Sequence, residues 1–577
     1  MRDNKSPMTL FLDIETDTTH RKIWMCYTYD TESAQYICHK EPKTLIPLIN
    51  KADKVIAHNL IGFDGPVLNR CWGTTLSLKK SMDTLLLSRL FSPDIEGGHS
   101  LDAWGKRLGG KKKSDYQRLY WRRKGVRQYD KKDMSHWNNP DIPLMAAYCK
   151  RDVELLVRVY ERLSNEVNDW GESIALEHAV ANIVRQQEER GFFFDRKAAT
   201  SLLSQVSSEL ADIEGNLQSV FPPIVTERVS AKTGKRLKDD VEMFNPGSRQ
   251  QIAKRLQGLG VKFDKVTEKG NIIIDERVLS KIDLPEAKLM ARYLLLQKRV
   301  SQISSWFDEV KDDGAIHGRV ITNGAVTGRM THHSPNMAQI PNSGSEFGPE
   351  CRACFKARDG YSLVGADASG LELRMLAHYM RDSAYVKTVV EGSSKDGTDV
   401  HTKNQKAAGL PTRDHAKTFI YAFLYGAGPG KIGSIVGGGP TEGKRLISRF
   451  LRATPSLQKL RDKVAVYAGK GYVPGLDGRK IWVRSEHAAL NSLLQGAGAI
   501  VMKKALVLLQ KKIKCARIDV HFVANVHDEW QMEVEQGKEE VVGKMAVEAI
   551  EEAGRYFNLR CPLTGEWNAG LTWKDTH

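Results

Sequence analysis

Asp13 and Glu15 stand two residues apart at the end of the apolar run MTLFL. In extended backbone, side chains at that spacing point to one face, so two carboxylates are brought together. Like charges that close repel, and a cation or a proton relieves them. Asp64 closes HNLIGFD, and Tyr148 and Asp152 are four residues apart, on one face of a helix. Four carboxylates and a phenol on three elements form a donor set for two Mg²⁺ ions. Two such ions activate water and stabilise the leaving oxygen of a phosphodiester. A second set lies in the other half. Asp367 follows the apolar run YSLVGA, and Asp528 falls in His527-Asp528-Glu529 between two apolar stretches. Between them come Arg413, Lys417, Tyr421 and Tyr425. Their four-residue steps drift by about 40° each along one helix face. The basic end of this stripe suits a triphosphate and the aromatic end a base. Phosphoryl transfer asks for positioning and charge neutralisation, here from two metals with Arg413 and Lys417. Lys417 is also a candidate proton donor to the leaving pyrophosphate.

These residues need a rigid frame. Residues 8–12, 23–29 and 54–57 are predicted strands, and 141–167 repeats at helical period through Met145, Tyr148, Leu155, Leu156 and Val159. Alternating strands and helices up to about residue 170 predict an α/β unit. A helix over 172–190 is closed by Gly191. Long helices follow at 197–219 and 285–310, joined by a polar stretch carrying Lys232, Lys235, Arg236 and Lys238. From about 316 the chain is mixed: a Gly-rich loop NGAVTGRM, a strand at 361–366, helices at 370–380 and 413–425, and strands at 520–527 and 530–534 around a tight turn. GGPTEGKR at 438–445 mimics a P-loop but ends on Arg445 where Ser or Thr would reach Mg²⁺. It reads as a surface turn.

The 577 residues allow three or four structural units. The net charge of +16 favours a polyanionic partner, because cations that neutralise phosphates release condensed counterions. Cys351 and Cys354 form a C-x-x-C without a second pair at zinc spacing, so the eight cysteines read as reduced thiols. The first residues read as a short tail entering a strand. With no run of 18 apolar residues, no membrane span is expected.

In order and context, Asp13, Glu15, Asp64, Tyr148 and Asp152 resemble the DEDDy proofreading exonucleases over roughly residues 8–165. The resemblance implies that the four carboxylates bind metal and that Tyr148 orients the attacking water. DASGLELR at 367–374, RDHAKTFIYAFLYG at 413–426 and VHDE at 526–529 resemble motifs A, B and C of family A DNA polymerases. NGAVTGRMTHHSPNMAQIP at 323–341, GPECRACF at 348–355 and GLDGRKIWVRSEHAALNSLLQGAGA at 475–499 extend the likeness over 316–571. It is nearest to the replicative polymerases of T-odd bacteriophages.

This likeness implies an α/β exonuclease domain with an RNase H-like mixed sheet at 1–170, then an α+β right-hand polymerase domain at 171–577. The thumb would be 195–315, the palm 316–380 and 456–577, and the fingers 381–455. Asp367 and Asp528 would bind two Mg²⁺, with Glu529 beside them, and the exonuclease site would hold two more. Arg413, Lys417 and His401 would contact the triphosphate, Tyr421 the sugar and base, and Tyr425 the templating base. Glu372 would exclude a ribose 2′-OH. Arg329, Gln495 and His527 would touch the primer end or minor groove. Tyr at position 421 goes, in polymerases of this type, with ready use of dideoxynucleotides. Primer-template DNA and dNTPs are the implied partners, with replicative helicase, primase and single-strand-binding protein beyond them. The implied location is the cytoplasm of a bacterial host. Some relatives bind thioredoxin through a long insertion in the thumb; the stretch from Pro222 to Phe244 is too short for one, so thioredoxin is not expected. A single-subunit RNA polymerase relative, or an exonuclease with a DNA-binding C-terminal half, are the competing readings. Glu372 argues against the first, and the set Asp367, Lys417 and Asp528 against the second.

Overall fold

The computed structural model describes residues 7–109, 115–263, 265–267 and 269–577; the tail expected before Pro7 lies outside them. The N-terminal region is built on a five-stranded sheet. Strands β1 (Thr9–Thr16), β2 (Ile23–Asp30), β3 (Gln35–His39), β4 (Lys54–Ala57) and β5 (Ser81–Asp83) lie in the order β3-β2-β1-β4-β5. β1 pairs antiparallel with β2 and parallel with β4, so the sheet is mixed. β3 and β5 escape periodicity because they are only five and three residues long. β1 is central and covered on both faces, which is why TLFLDIET buries nearly every side chain. Helix α1 (Ile142–Val167) packs on it; Asp141 caps its N-terminus by accepting from Leu144 N at 3.2 Å. Tyr148, Cys149, Asp152 and Val153 share its buried face.

Helix α2 (Gly171–Arg190) leads out and ends at Gly191, whose φ of 65° admits few residues but glycine. α3 (Arg196–Val220) and α4 (Pro285–Glu309) pack together around Leu202, Val206, Leu217, Met290 and Ile303. The stretch between them is not merely a polar linker. Ile224–Val229 and Arg236–Glu242 pair as an antiparallel hairpin, with Val225 opposite Val241. Its side chains are mostly exposed, so no buried face imprinted a period on the sequence.

The C-terminal region centres on a four-stranded antiparallel sheet. Strands β6 (Tyr361–Ala368), β7 (Val520–Val526), β8 (Glu529–Glu535) and β9 (Gly565–Gly570) lie in the order β7-β8-β6-β9. Around it run α5 (Leu371–Met380), α6 (Arg413–Leu424), α7 (Glu486–Ala516) and α8 (Glu539–Tyr556). α7 is long and apolar enough to cross a membrane, but 72% of its apolar window is buried inside the molecule, which makes it a core helix. GGPTEGKR is not a surface turn: Gly443, Lys444 and Arg445 lie inside the helix Pro440–Ala453. Gly443 is there for close packing, since a Cβ would strike the carbonyl of Pro429. All eight cysteines are free thiols, and Cys351 and Cys354 are buried.

Candidate active sites

In the N-terminal region Asp13 and Glu15 project from β1, just before a bulge between Glu15 and Thr16. With Cys149 from α1, each offers a ligand atom within 4.8 Å of the others. Cys149 Sγ lies 3.5 Å from Asp13 Oδ2, a neighbour that carboxylate spacing alone did not reveal. Asp64 ends a π-helical turn, Leu60–Asp64, entered through Asn59 at φ 82°. Burial, then Asp13, then Asp83 push the Asp64 carboxyl well above its ordinary range. Asp64 and Asp152 stand outside the tight group of three, though both are buried. Tyr148 sits in an aromatic cluster, its ring 5.7 Å from Tyr116 and 6.2 Å from Trp137. Crowded acidic groups and a carboxyl whose proton is held by burial are the donor chemistry a divalent cation satisfies.

The second site is a product of strand register. Asp367 in β6 is paired with Glu529 in β8, and the two-residue turn His527-Asp528 joins β7 to β8. Ala368 N donates to Asp528 O at 3.2 Å, locking the turn against the end of β6. Asp367 opens to the cleft, yet desolvation of its carboxyl, with Asp528 and Glu529 close by, pushes it up to about 7. Asp528 is also raised, by burial first, with Arg329 opposing and Glu372 reinforcing. This donor set too fits a divalent cation. A small cavity beside it is lined by Arg329, Lys503, Asn525, His527, Asp528 and Trp530.

Glu372 bridges two predicted residues. Its Oε1 lies 3.1 Å from Arg329 Nη2, and its Oε2 accepts from Tyr425 OH at 2.8 Å. The α6 stripe forms as expected, except that Tyr425 is the C-cap rather than a helical residue. The opposite face buries Ala416, Phe419, Ile420 and Phe423. The rings of His401 and Tyr421 lie 6.3 Å apart, and those of Tyr421 and Tyr425 6.4 Å. Arg413 is already engaged: its Nε and Nη2 reach Asp399 Oδ2 at 3.1 and 2.8 Å, and Asp399 falls to about 2. Lys417 is exposed and enters no ion pair among the described residues. The Nδ1 atom of His401 is buried without a partner among the described residues, and burial, Arg413 and Lys417 hold the ring neutral. No hydrogen bond joins Gln495 to this group among the described residues; it lies half-exposed on α7.

Glu529 shares a sheet face with Asp367, but its carboxylate is already engaged. Its Oε1 accepts from Trp573 Nε1 at 2.7 Å and Gln531 Nε2 at 2.6 Å, and its Oε2 lies 3.1 Å from His577 Nδ1. Its place is that of a strut beneath the turn. Sequence reasoning missed Trp573 and His577, which stand in no recognisable pattern. It also missed a buried ionic cluster: Lys503 Nζ contacts both oxygens of Glu177 at 2.7 and 2.9 Å and Asn323 Oδ1 at 2.7 Å. Arg479 joins Glu177 to Asp477 at 2.7 and 2.6 Å. The available signal was Glu177 and Lys503, each in an apolar stretch of helix; Asp477 and Arg479 lie in a turn that gave none.

The model of DNA polymerase family A matches residues 225–575. The chain is 34% identical to the DNA-directed DNA polymerase of Enterobacteria phage T3, covering 92% of this chain and 93% of that one. Identity to the DNA-directed DNA polymerase of Escherichia phage T7 is 33%, over 95% and 97%. The chain belongs to DNA polymerase family A. Among solved structures, the POL domain of Pol1 from M. smegmatis, in complex with DNA primer-template and dNTP, superposes with a TM-score of 0.79. At 19% identity, covering 99% of this chain and 96% of that one, it shows the polymerase fold. This family A polymerase is thus of the bacteriophage type and is a DNA-directed DNA polymerase. Family A enzymes use divalent metals, in keeping with the carboxylates at the end of β6 and in the β7–β8 turn.

Proposed function

We propose that the chain extends a primer with dNTPs at the β6–β8 cleft and removes 3′-terminal nucleotides at the β1–α1 site. The observation that carries the first half is the register that sets Asp367 beside the Asp528 turn, with Tyr421 of α6 near enough to feel the charge of Asp528 and its ring 6.3 Å from that of His401. Asp367 and Asp528 would hold Mg²⁺, which when bound neutralises charge on the attacking and leaving oxygens. The chain's own residues do the rest. Lys417 binds the triphosphate and can pass a proton to the leaving group. The buried Nδ1 of His401 lacks a partner and suits a phosphate oxygen. Tyr421 lies against the sugar, and Glu372, fixed by Arg329 and Tyr425, crowds the 2′ position. Arg413, held by Asp399 yet with a side chain still 40% exposed, would contact the triphosphate as well.

The second half rests on Asp13 and Glu15 at the bulge, with Asp64, Asp152 and Tyr148 on elements packed against β1. Asp13, Glu15, Asp64 and Asp152 would hold metal there, and Tyr148 would orient a water. The working division is an exonuclease domain to about residue 170 and a polymerase domain after it. The alignment with the T7 polymerase runs over 692 positions against 577 residues here, so that relative carries segments this chain lacks. The stretch from Pro222 to Phe244 holds only the hairpin of Ile224–Val229 and Arg236–Glu242, which is too short for a thioredoxin-binding insertion, so that partner is not proposed. A replicative role in a host bacterium, beside helicase, primase and single-strand-binding protein, completes the proposal.

Primer extension and 3′-end degradation with Mg²⁺, measured on wild type, Asp528→Ala and Asp13→Ala, test both halves. Asp528→Ala is expected to lose synthesis by about a thousandfold or more, the effect of several kcal/mol of lost charge stabilisation, and to keep degradation. Asp13→Ala is expected to do the reverse. One variant losing both activities while folded overturns the two-site assignment.

A further inference from the structure

His178 lies on α2, outside the N-terminal sheet, yet its ring reaches the end of β5. Nδ1 is 2.8 Å from Ile174 O, one turn back, so Nδ1 carries the proton. Nε2 is then an acceptor, and Asp83 N donates to it at 2.9 Å. Asp83 is a hub. Its Oδ1 accepts from Asn59 N at 3.0 Å and Leu85 N at 2.9 Å, and its Oδ2 accepts from Ile61 N at 3.0 Å. Asn59 and Ile61 open the π-helical turn that ends on Asp64. The line is buried throughout: His178 is 5% exposed, Asp83 1% and Asp64 2%. Without Nε2 the Asp83 amide would be a buried donor with no acceptor, which destabilises its surroundings. Burial lowers the His178 pKa, which keeps the ring in the neutral form this geometry requires. The preceding residue, Glu177, turns about 100° away into the Lys503–Arg479 cluster. Adjacent residues of one helix therefore face the two sites.

We propose that His178 is a positioning residue of the degradative site: an acceptor contributed from α2 that fixes Asp83 and, through it, the turn carrying Asp64. The inference rests on the exonuclease reading of Asp13, Glu15, Asp64 and Asp152. Groups one layer behind metal ligands change metal affinity or activity by about 10–100-fold when removed.

The full chain is compared as wild type, His178→Leu, which removes the acceptor at similar volume, and His178→Gln, whose Oε1 can take the Asp83 amide. Degradation of a single-stranded oligonucleotide is followed against Mg²⁺ concentration, beside primer extension, and amide exchange is measured over 58–64 and 83–86. His178→Leu is expected to degrade DNA about 10–100-fold more slowly, to need more Mg²⁺ for half-saturation and to lose protection at 58–64. His178→Gln is expected to recover most of all three, and synthesis to stay at the wild-type rate throughout. Equal losses in Leu and Gln variants, or wild-type behaviour of His178→Leu, overturn the proposal. If wild type itself degrades no DNA, the exonuclease reading fails separately. The exchange data then still decide the positioning claim, and unchanged protection at 58–64 refutes it.

Discussion

The two carboxylate sites are built in opposite ways. The N-terminal one is compact: one strand supplies Asp13 and Glu15, one helix supplies Tyr148 and Asp152, and all pack within a single mixed sheet. Its surroundings are buried thiol and aromatic rings. The C-terminal one is gathered from distant segments, and its surroundings are ionic: Arg329 on Glu372, Arg413 on Asp399, and Lys503 with Arg479 on Glu177. A hydrolytic site needs metal, water and one strand end. A synthetic site must also order a triphosphate and a template base; in the proposed one Lys417 and Tyr425 are exposed along α6 and at its end, while Lys503 and Arg479 pair with Glu177 in the interior. If the proposed assignment holds, carboxylate chemistry alone does not separate erasing from writing, and the cations around each site do.

The largest expected effect strikes the exposed cation of the synthetic site. Lys417→Ala should lower kcat for synthesis by about 10²–10⁴-fold if it acts as a general acid, leaving duplex DNA binding and degradation near wild type. Single-turnover incorporation beside a binding titration decides this, and an unaltered kcat removes Lys417 from the chemistry. Next comes the ionic floor. Lys503→Met takes from the wholly buried Glu177 one of its two cationic partners, and breaking a buried pair destabilises by about 3–5 kcal/mol. Chemical denaturation should show that loss, and Glu177→Gln added to Lys503→Met should recover much of it. A Lys503→Met protein as stable as wild type would make the cluster incidental.

How legible each site was follows from the same contrast. The strand ends and helix faces carrying Asp13, Tyr148, Asp367 and the stripe from Arg413 to Tyr421 announced themselves because local period sets side-chain direction. Three strands of the C-terminal sheet were legible for that reason too, while Gly565–Gly570 was not foreseen. What stayed hidden is set by tertiary contact. Nothing local to Glu529 says that it turns toward Trp573 and His577, and nothing local to Arg413 says that Asp399 holds it. The hairpin between α3 and α4 was hidden because neither of its faces is buried. Asp83 was not singled out in the sequence: it caps the helix Thr84–Phe91, and its second task, holding Asn59 and Ile61, is not written near it.

Acidity offers a smaller effect that sets the palm apart from its ionic surroundings. Asp367 titrates at about 7 when folded without metal, above the ordinary carboxylate range. The native state therefore binds more protons than the unfolded chain between the ordinary value and about 7, so stability falls as pH rises through that window. Asp367→Asn should melt higher than wild type in metal-free buffer at pH 8, with the gain vanishing below the ordinary carboxylate range. For wild type, half-saturating Mg²⁺ should rise as pH drops below 7, by up to about tenfold per unit, because the ligand must lose its proton first. Calorimetry and a metal titration of synthesis read these outcomes, and a flat response across pH 6–8 would show that the Asp367 proton is lost well below neutrality.

The smallest effect concerns what the stripe does to a sugar. The Tyr421 hydroxyl is pushed up by burial and by the charges of Glu372 and Asp528, which puts it on the cleft side of α6 rather than in the core. A hydroxyl there can stand where the 3′-OH of an incoming nucleotide is missing, making dideoxynucleotides nearly as acceptable as normal ones. Tyr421→Phe removes one neutral hydrogen-bonding group, worth about 0.5–1.5 kcal/mol, so discrimination against dideoxynucleotides should rise by about tenfold or less. Exonuclease activity should not change, since the stripe serves the other site. Competition between ddNTP and dNTP on one primer measures the ratio directly. If Tyr and Phe enzymes gave the same ratio, the hydroxyl would not reach the sugar, and the aromatic end of the stripe would act on the base alone.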